Sequence, residues 1–169
     1  VFGIFSAASK ELKRLNPSLE IVATLYWWEG TAPEERFTLF GWLSRYGPDL
    51  ARHADVVGLS LQPEDNPVGM AFERIFEKTR RALPDTPLML SSFGYVEAGT
   101  LRGYWWLHPE DIDGARKDLV LLYMAAACSM RNSLGGGFWW QALDQMIVGK
   151  RKVTDLYRVY HRALLQLGR

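Results

Sequence analysis

The chain has 169 residues, a net charge of +1 and a single cysteine, enough for one domain with a real core and too short for two of ordinary size. Near-neutral, interleaved charge leaves no electrostatic footprint for nucleic acid or an anionic membrane surface, and no run is long enough to span a bilayer. Cys128 lies in Met124-Ala-Ala-Ala-Cys-Ser-Met130, where it reads as a buried structural thiol, and no disulfide framework is available within the chain.

The elements alternate along the chain. Helical spacing of Ala7, Ala8, Leu12 and Leu15 predicts a helix over Ser6–Leu15, stopped at Asn16-Pro17. The apolar run Glu20–Trp28 predicts a first strand, with a loop from Glu29 to Pro33 at its carboxyl end. A helix is expected over Glu34–Tyr46, broken by Gly47-Pro48-Asp49, then a strand over Asp55–Leu61 and a loop from Gln62 to Pro67. Phe72, Ile75, Phe76, Thr79 and Leu83 share one face of a helix over Met70–Leu83. After the turn Pro84-Asp85-Thr86-Pro87, the short run Leu88-Met89-Leu90 is a third strand, stopping at Ser91-Ser92-Phe93-Gly94-Tyr95. A long loop, Ala98–Asp113, carries Tyr104-Trp105-Trp106 and His108. A helix over Asp111–Met130, a fourth strand over Leu134–Leu143, a loop over Asp144–Lys150 and a last amphipathic helix over Thr154–Leu167 complete the pattern.

Four strands alternating with about five helices make this an α/β chain of parallel β/α units. Doubly wound sheets and barrels both satisfy that pattern. No Gly-x-Gly-x-x-Gly follows a strand, and Gly135-Gly136-Gly137 precedes one, so a nucleotide-binding sheet is disfavoured. His53 and His108 follow no metal-ligand spacing, and neither a metal nor a cofactor is expected.

Three strand ends together resemble a known clan. The segment Gly137-Phe138-Trp139-Trp140-Gln141-Ala142-Leu143-Asp144 is similar to the eighth strand of the retaining glycoside hydrolases with (β/α)8 barrels, the clan of β-glucosidases, cellulases and mannanases. Asp55–Leu61 is similar to their sixth strand, with Ser60 and Gln62 where Asn and Tyr are usual. Leu88–Tyr95 is similar to their seventh, which ends Ser-Glu-Phe-Gly-Tyr and carries the nucleophilic glutamate. The resemblance covers nearly the whole chain in the order of strands five to eight, so residues 1–169 are expected to form the carboxyl-terminal half of a TIM (β/α)8 barrel. It implies a β-linked oligosaccharide or polysaccharide as ligand, with Trp140 flooring the subsite beside the cleaved bond.

Two departures from the clan matter. Ser92 occupies the nucleophile position, and a serine cannot hold a glycosyl ester as a carboxylate does. Ser92 marks an inactive relative, a knock-out substitution, or a site whose carboxylate is now Glu97. The clan's general acid ends strand four, which precedes the part of the pattern matched here. Glu29 and Glu97 are therefore the candidate catalytic carboxylates beside Ser92, each weighed against a solvated loop charge. Trp28, Gln62, Tyr95, Trp105, Trp140 and Asp144 are the candidate sugar contacts, since barrel sites gather at carboxyl strand ends. Seven Trp and seven Tyr are many for this length, although packing is the commoner use of aromatics. Strand alternation sends only one of Trp139 and Trp140 to a cleft, and Trp140 is that one.

Two functions follow: a glycosidase-like domain acting on or binding β-linked sugar, or a catalytically inactive carbohydrate-binding or structural half-barrel. Either needs a partner, a second copy or a complementary amino-terminal half, because four parallel strands leave two open edges. A stable monomer is not expected. The start Val1-Phe2-Gly3-Ile4-Phe5 has no basic region before it, so no secretory leader is expected; the compartment is left open, with the cytoplasm favoured.

Overall fold

The computed structural model describes residues 2–26, 38–63, 72–96, 110–150 and 152–167. β1 (Val22–Tyr26), β2 (Val56–Leu61), β3 (Leu88–Phe93) and β4 (Phe138–Trp139) form one parallel sheet in the order β1-β2-β3-β4. Three neighbouring pairs run in register from Val22 opposite Val56, from Val57 opposite Leu88 and from Ser92 opposite Phe138. The helices are α1 (Phe2–Leu15), α2 (Leu39–Ala51), α3 (Phe72–Ala82), α4 (Ile112–Ser129), the short α5 (Ala142–Met146) and α6 (Asp155–Leu167). A two-stranded antiparallel ribbon, β5 (Ile147–Val148) and β6 (Lys152–Val153), joins α5 to α6. The expected α/β class of parallel units is thus present, with one helix and one ribbon more than the sequence suggested.

Burial alternates along β1, while β2 is buried at nearly every position, and the core contacts assign the two faces of the sheet. Ala23, Val57, Leu59, Leu61, Leu88, Leu90, Phe93 and Trp139 point into the helical layer and join Leu39, Leu43, Phe72, Phe76, Leu119, Tyr123 and Leu156 in one core. The other face carries Val22, Thr24 and Tyr26 from β1, Met89 from β3 and Phe138 from β4, of which all but the half-buried Met89 are exposed. The helical layer follows the strand order. Phe2 of α1 packs on Trp42 and Tyr46 of α2, and α2 touches α3, α3 touches α4, and α4 touches α6.

Local chemistry sets the helix limits. Thr38 caps α2 by accepting from the Gly41 amide at 3.0 Å, and Asp111 caps α4 by accepting from the Gly114 amide at 2.9 Å. The predicted break at Gly47-Pro48 is not a break: α2 runs through Pro48 to Ala51. Gly47 lies where a Cβ would be 3.4 Å from Leu83 Cδ2, and Leu50, one turn on, is buried in the core. Packing on both sides of Pro48 outweighs the one helical hydrogen bond that a proline forfeits. α3 buries Phe72, Ile75, Phe76 and Thr79, the face its period predicts. The predicted beginnings of α2 and α3, at Glu34 and Met70, lie outside the described residues.

β3 extends to Phe93, three residues past the predicted Leu90, and it contains a bulge. Leu59 pairs with Leu90 and Ser60 with Ser92, which leaves Ser91 as the extra residue. The fourth strand is much shorter than Leu134–Leu143. Gly135, Gly136 and Gly137 have φ of +67°, +81° and +138°, outside the β region, so regular pairing begins only at Phe138. Even so, this stretch lies against β3: the Leu90 amide donates to the Gly135 carbonyl at 3.0 Å, and the Leu134 amide to the Leu88 carbonyl at 2.8 Å. At Gly136 the φ of +81° favours glycine, and a Cβ would also sit 3.3 Å from the Leu90 carbonyl oxygen.

Asp55 ties the first helix to the sheet. Its carboxylate accepts from the Ile21 amide at 2.7 Å and pairs with Lys13 of α1 at 2.7 Å. The Lys13 hydrogen bond, then that of Ile21, holds its pKa below the ordinary carboxylate value. A depressed folded-state pKa stabilises the fold above the unfolded value of about 3.9, and that stabilisation is lost as pH falls through the folded value. Asp55→Asn should therefore lower the urea midpoint at pH 7, by under about 1 kcal/mol for so exposed a pair, and flatten the loss of stability below about pH 4. Parallel acid limbs in the two proteins would show that Asp55 plays no such part.

Gly58 in β2 is covered by β3. A Cβ there would lie 2.5 Å from Ser91 Cβ and 3.5 Å from Met89 Cγ. Gly58→Ala is expected to cost about 1–3 kcal/mol of stability by overpacking, whereas Gly3→Ala in α1, with nothing within 4 Å, should be neutral or stabilising. Thermal melting of the two variants reads the difference.

Candidate functional site

A cleft of about 450 Å³ runs along the open face of the sheet. It extends from Val22 and Met89 near the amino ends of their strands to Ser92, Trp140 and Gln141 at the carboxyl ends, with Thr24, Ser91 and Phe138 between. Its walls are apolar and aromatic, and its floor offers hydroxyl groups.

Trp140 is aimed by its backbone. Its amide donates to the Phe93 carbonyl at 2.7 Å, continuing the β4 ladder past Trp139 by one bond. Gln141 then adopts the left-handed conformation, φ +60° and ψ +33°, and α5 begins. The chain therefore leaves the sheet immediately after Trp140, whose ring stays 57 % exposed on the cleft side while Trp139 is 4 % exposed in the helical layer. Gly94 opposite makes this approach feasible, since a Cβ there would lie 2.9 Å from Trp140 Cβ.

Behind the cleft a polar network fixes the two strand ends to each other. The Trp139 indole N–H donates to Gln145 Oε1 at 2.8 Å, while Gln145 Nε2 donates to the Tyr95 carbonyl at 3.3 Å and to Gln141 Oε1 at 3.2 Å. Arg116 of α4 donates from Nε to the Tyr95 carbonyl at 2.9 Å and from Nη2 to the Val96 carbonyl at 3.1 Å. From the other side, the Tyr160 hydroxyl of α6 donates to the Gly137 carbonyl at 2.5 Å, and burial pushes its pKa up. The carbonyls beyond β3 and before β4 are thus held by side chains from three helices.

The candidate residues distribute unevenly. Ser92 and Trp140 line the same cleft. Gln62 is half-buried directly after β2 and is not among the cleft residues. Tyr95, an expected sugar contact, is wholly buried in the helical core with Phe93 and is not among the cleft residues. Asp144 is an exposed residue in the first turn of α5, because the strand ends before it, and is not among the cleft residues either. Trp28, Glu29, Glu97 and Trp105 lie outside the described residues, as do Tyr104, Trp106 and His108.

Phe138, Ser91 and Gln141 line the cleft without having been singled out. Phe138 was legible, since it stands two residues before Trp140 on the same face. Ser91 was not, because the bulge that brings both serines to one side has no sequence signal of its own. Its hydroxyl is buried and finds no hydrogen-bond partner among the described residues. Among the described residues, no carboxylate lines the cleft, and no group of three or more His, Cys, Asp or Glu is placed to hold a metal ion. No helix among them is long and apolar enough to cross a membrane. Cys128 is half-buried, with burial pushing its thiol up.

No protein-family model, curated protein or solved structure matches the chain.

The Gln145 network generates a measurable expectation. Gln145→Ala leaves the Trp139 N–H without its acceptor in a buried position and should cost about 1–3 kcal/mol; Gln145→Glu, which keeps the acceptor but sets a carboxylate oxygen against the Tyr95 and Gln141 oxygens, should cost at least as much. Denaturant titration followed by tryptophan fluorescence checks the order of the two.

Proposed function

We propose that the chain is the carboxyl-terminal half of a glycosidase-like (β/α)8 barrel that binds a β-linked oligosaccharide along the open face of its sheet without hydrolysing it. The observation that carries this reading is the sequential strand order with the long described helices packed into one core on one face. Right-handed crossovers in a doubly wound sheet reverse the strand order and cover both faces, whereas winding in one sense leaves a bare inner face, as a barrel requires. The bare face here carries Trp140, at the position where the resemblance expects the floor of a sugar subsite.

The cleft chemistry supports binding over turnover. Phe138 and Trp140 offer ring faces to the C–H surface of a pyranose, the preferred use of exposed aromatics in a cleft. Thr24 and Ser92 supply hydroxyl groups for the sugar's own hydroxyls. Retaining hydrolysis needs two carboxyl groups about 5–5.5 Å apart across the scissile bond. At the nucleophile position of the clan, Ser92 offers a hydroxyl instead.

Calorimetric titration with β-glucan and β-mannan oligosaccharides, run beside a reducing-sugar assay, tests the proposal. Binding without product is the expected result. Trp140→Ala should weaken the affinity about tenfold, since a stacked ring contributes roughly 0.5–1.5 kcal/mol beyond its burial, while Lys78→Ala, on the exposed side of α3, leaves it unchanged. Release of reducing ends would restore the hydrolytic reading, and absence of binding to either sugar class would remove the carbohydrate reading altogether.

A further inference from the structure

We infer that Gln141 orients the sugar stacked on Trp140, meeting it with the donor end of its amide alone. The inference rests on the carbohydrate reading of the cleft, and it stands on how the side-chain amides beside that cleft are turned. A glutamine amide accepts at one end and donates at the other, and its partners decide which end faces where.

The direction is set in the core and passed outward. The Trp139 indole N–H can only donate, so the Gln145 atom that meets it at 2.8 Å has to be the oxygen. The Tyr95 carbonyl can only accept, so the Gln145 atom that meets it at 3.3 Å has to be the nitrogen. Two separate neighbours thus demand the same orientation of one amide. The second N–H of Gln145 reaches Gln141 at 3.2 Å, and what it finds there must again be an acceptor, Gln141 Oε1. That assignment leaves Gln141 Nε2 as the free end. It makes no hydrogen bond to another described residue, and Gln141 is an exposed residue lining the cleft directly after Trp140. The mouth of the cleft is therefore given two N–H groups beside the indole ring.

The backbone adds a second observation. Gln141 has φ +60° and ψ +33°, a left-handed conformation that glycine takes freely and a long side chain rarely adopts. Elsewhere among the described residues positive φ falls to Gly135, Gly136, Gly137 and Gly149, and to Asn132, a residue type that tolerates it. At position 141 the chain keeps a glutamine where glycine would relieve the strain. Residues held in this way gather where a ligand is met.

A group that can only donate discriminates in a way the other polar groups of the cleft do not. The Thr24 and Ser92 hydroxyls donate or accept as the ligand requires, whereas Gln141 requires an oxygen lone pair. A pyranose lying flat on an indole presents its equatorial hydroxyls, ring oxygen and bridging oxygens around the rim of the contact. The residue that follows Trp140 in the chain is placed to meet one of them and so to fix the rotation of the sugar on the ring.

Calorimetric titration of the full chain with β-glucan and β-mannan oligosaccharides is the test, with Gln141→Glu as the decisive variant. A carboxylate keeps the shape of the amide and still accepts from Gln145, but its free end is a second acceptor where the ligand needs a donor. Gln141→Glu should weaken the affinity about tenfold or more, and Gln141→Ala about threefold to tenfold. Asp144→Asn, exposed in the first turn of α5 and not among the cleft residues, should leave it unchanged. Circular dichroism should report the wild-type fold for all three. In a Trp140→Ala background the loss from Gln141→Ala should shrink, since both residues act on one sugar unit. Wild-type affinity in Gln141→Glu, or equal losses with and without Trp140, would overturn the inference. Side-chain amide NMR of the ligand-free chain reads the network without any sugar: the Gln145 resonances should move in Gln141→Ala and hold still in Asp144→Asn, and unmoved resonances in Gln141→Ala would overturn the inference whatever the chain binds. The two readings fail separately. Sugar binding that is indifferent to the Gln141 variants removes only the orienting role, whereas a wild-type chain that binds neither sugar class removes the carbohydrate reading and this role with it.

Discussion

Each side chain of this sheet has its role fixed by the face on which it falls. The four strands follow one another in chain order and the helices cover a single side, so the two-residue period of a strand sorts the sequence into a core set and a cleft set. Trp139 and Trp140 are adjacent and chemically identical, yet one is a core residue hydrogen-bonded to Gln145 and the other a platform at the mouth of the cleft. The proposed ligand site needs no elements of its own. It is the side of the sheet that the described helices do not reach.

That division also places the stabilising interactions. The polar groups that fix the site lie behind it: Arg116 holds two carbonyls beyond β3, Tyr160 holds the Gly137 carbonyl before β4, and Gln145 links the two strand ends. Helices, which are rigid and well packed, thereby set the position of loops that would otherwise carry the ligand surface loosely. Among the described residues, the cleft itself is left with rings and hydroxyl groups.

Much of the fold was legible because it follows from period. Phe72, Ile75, Phe76 and Thr79 repeat at helical spacing and are buried as a set; the orientations of Trp139 and Trp140 follow from alternation. What sequence reading missed are places where tertiary contact overrides a local signal. Pro48 is a helix breaker, yet α2 continues through it because Gly47 and Leu50 are both packed. Gly135-Gly136-Gly137 reads as the start of a strand but takes positive φ, which shortens β4 to two residues, frees the chain to turn into α5, and carries Asp144 away from the cleft. Tyr95 was read from a motif position, whereas its burial is decided by which side of β3 it inherits after the bulge.

The bulge at Ser91 has an evolutionary consequence. A strand packed on one side cannot ordinarily gain or lose a residue, since every later side chain would change faces. In β3 and just after it the residues that join the helical core are Leu88, Leu90, Phe93 and Tyr95, an alternation interrupted once, between Leu90 and Phe93, by two serines in place of one. Deleting either serine leaves an uninterrupted alternation with the same residues buried. The strand therefore has one point at which a lineage can change its length without refolding the core, and that point lies on the floor of the cleft, where losing a residue reshapes the cleft lining and leaves the core as it was.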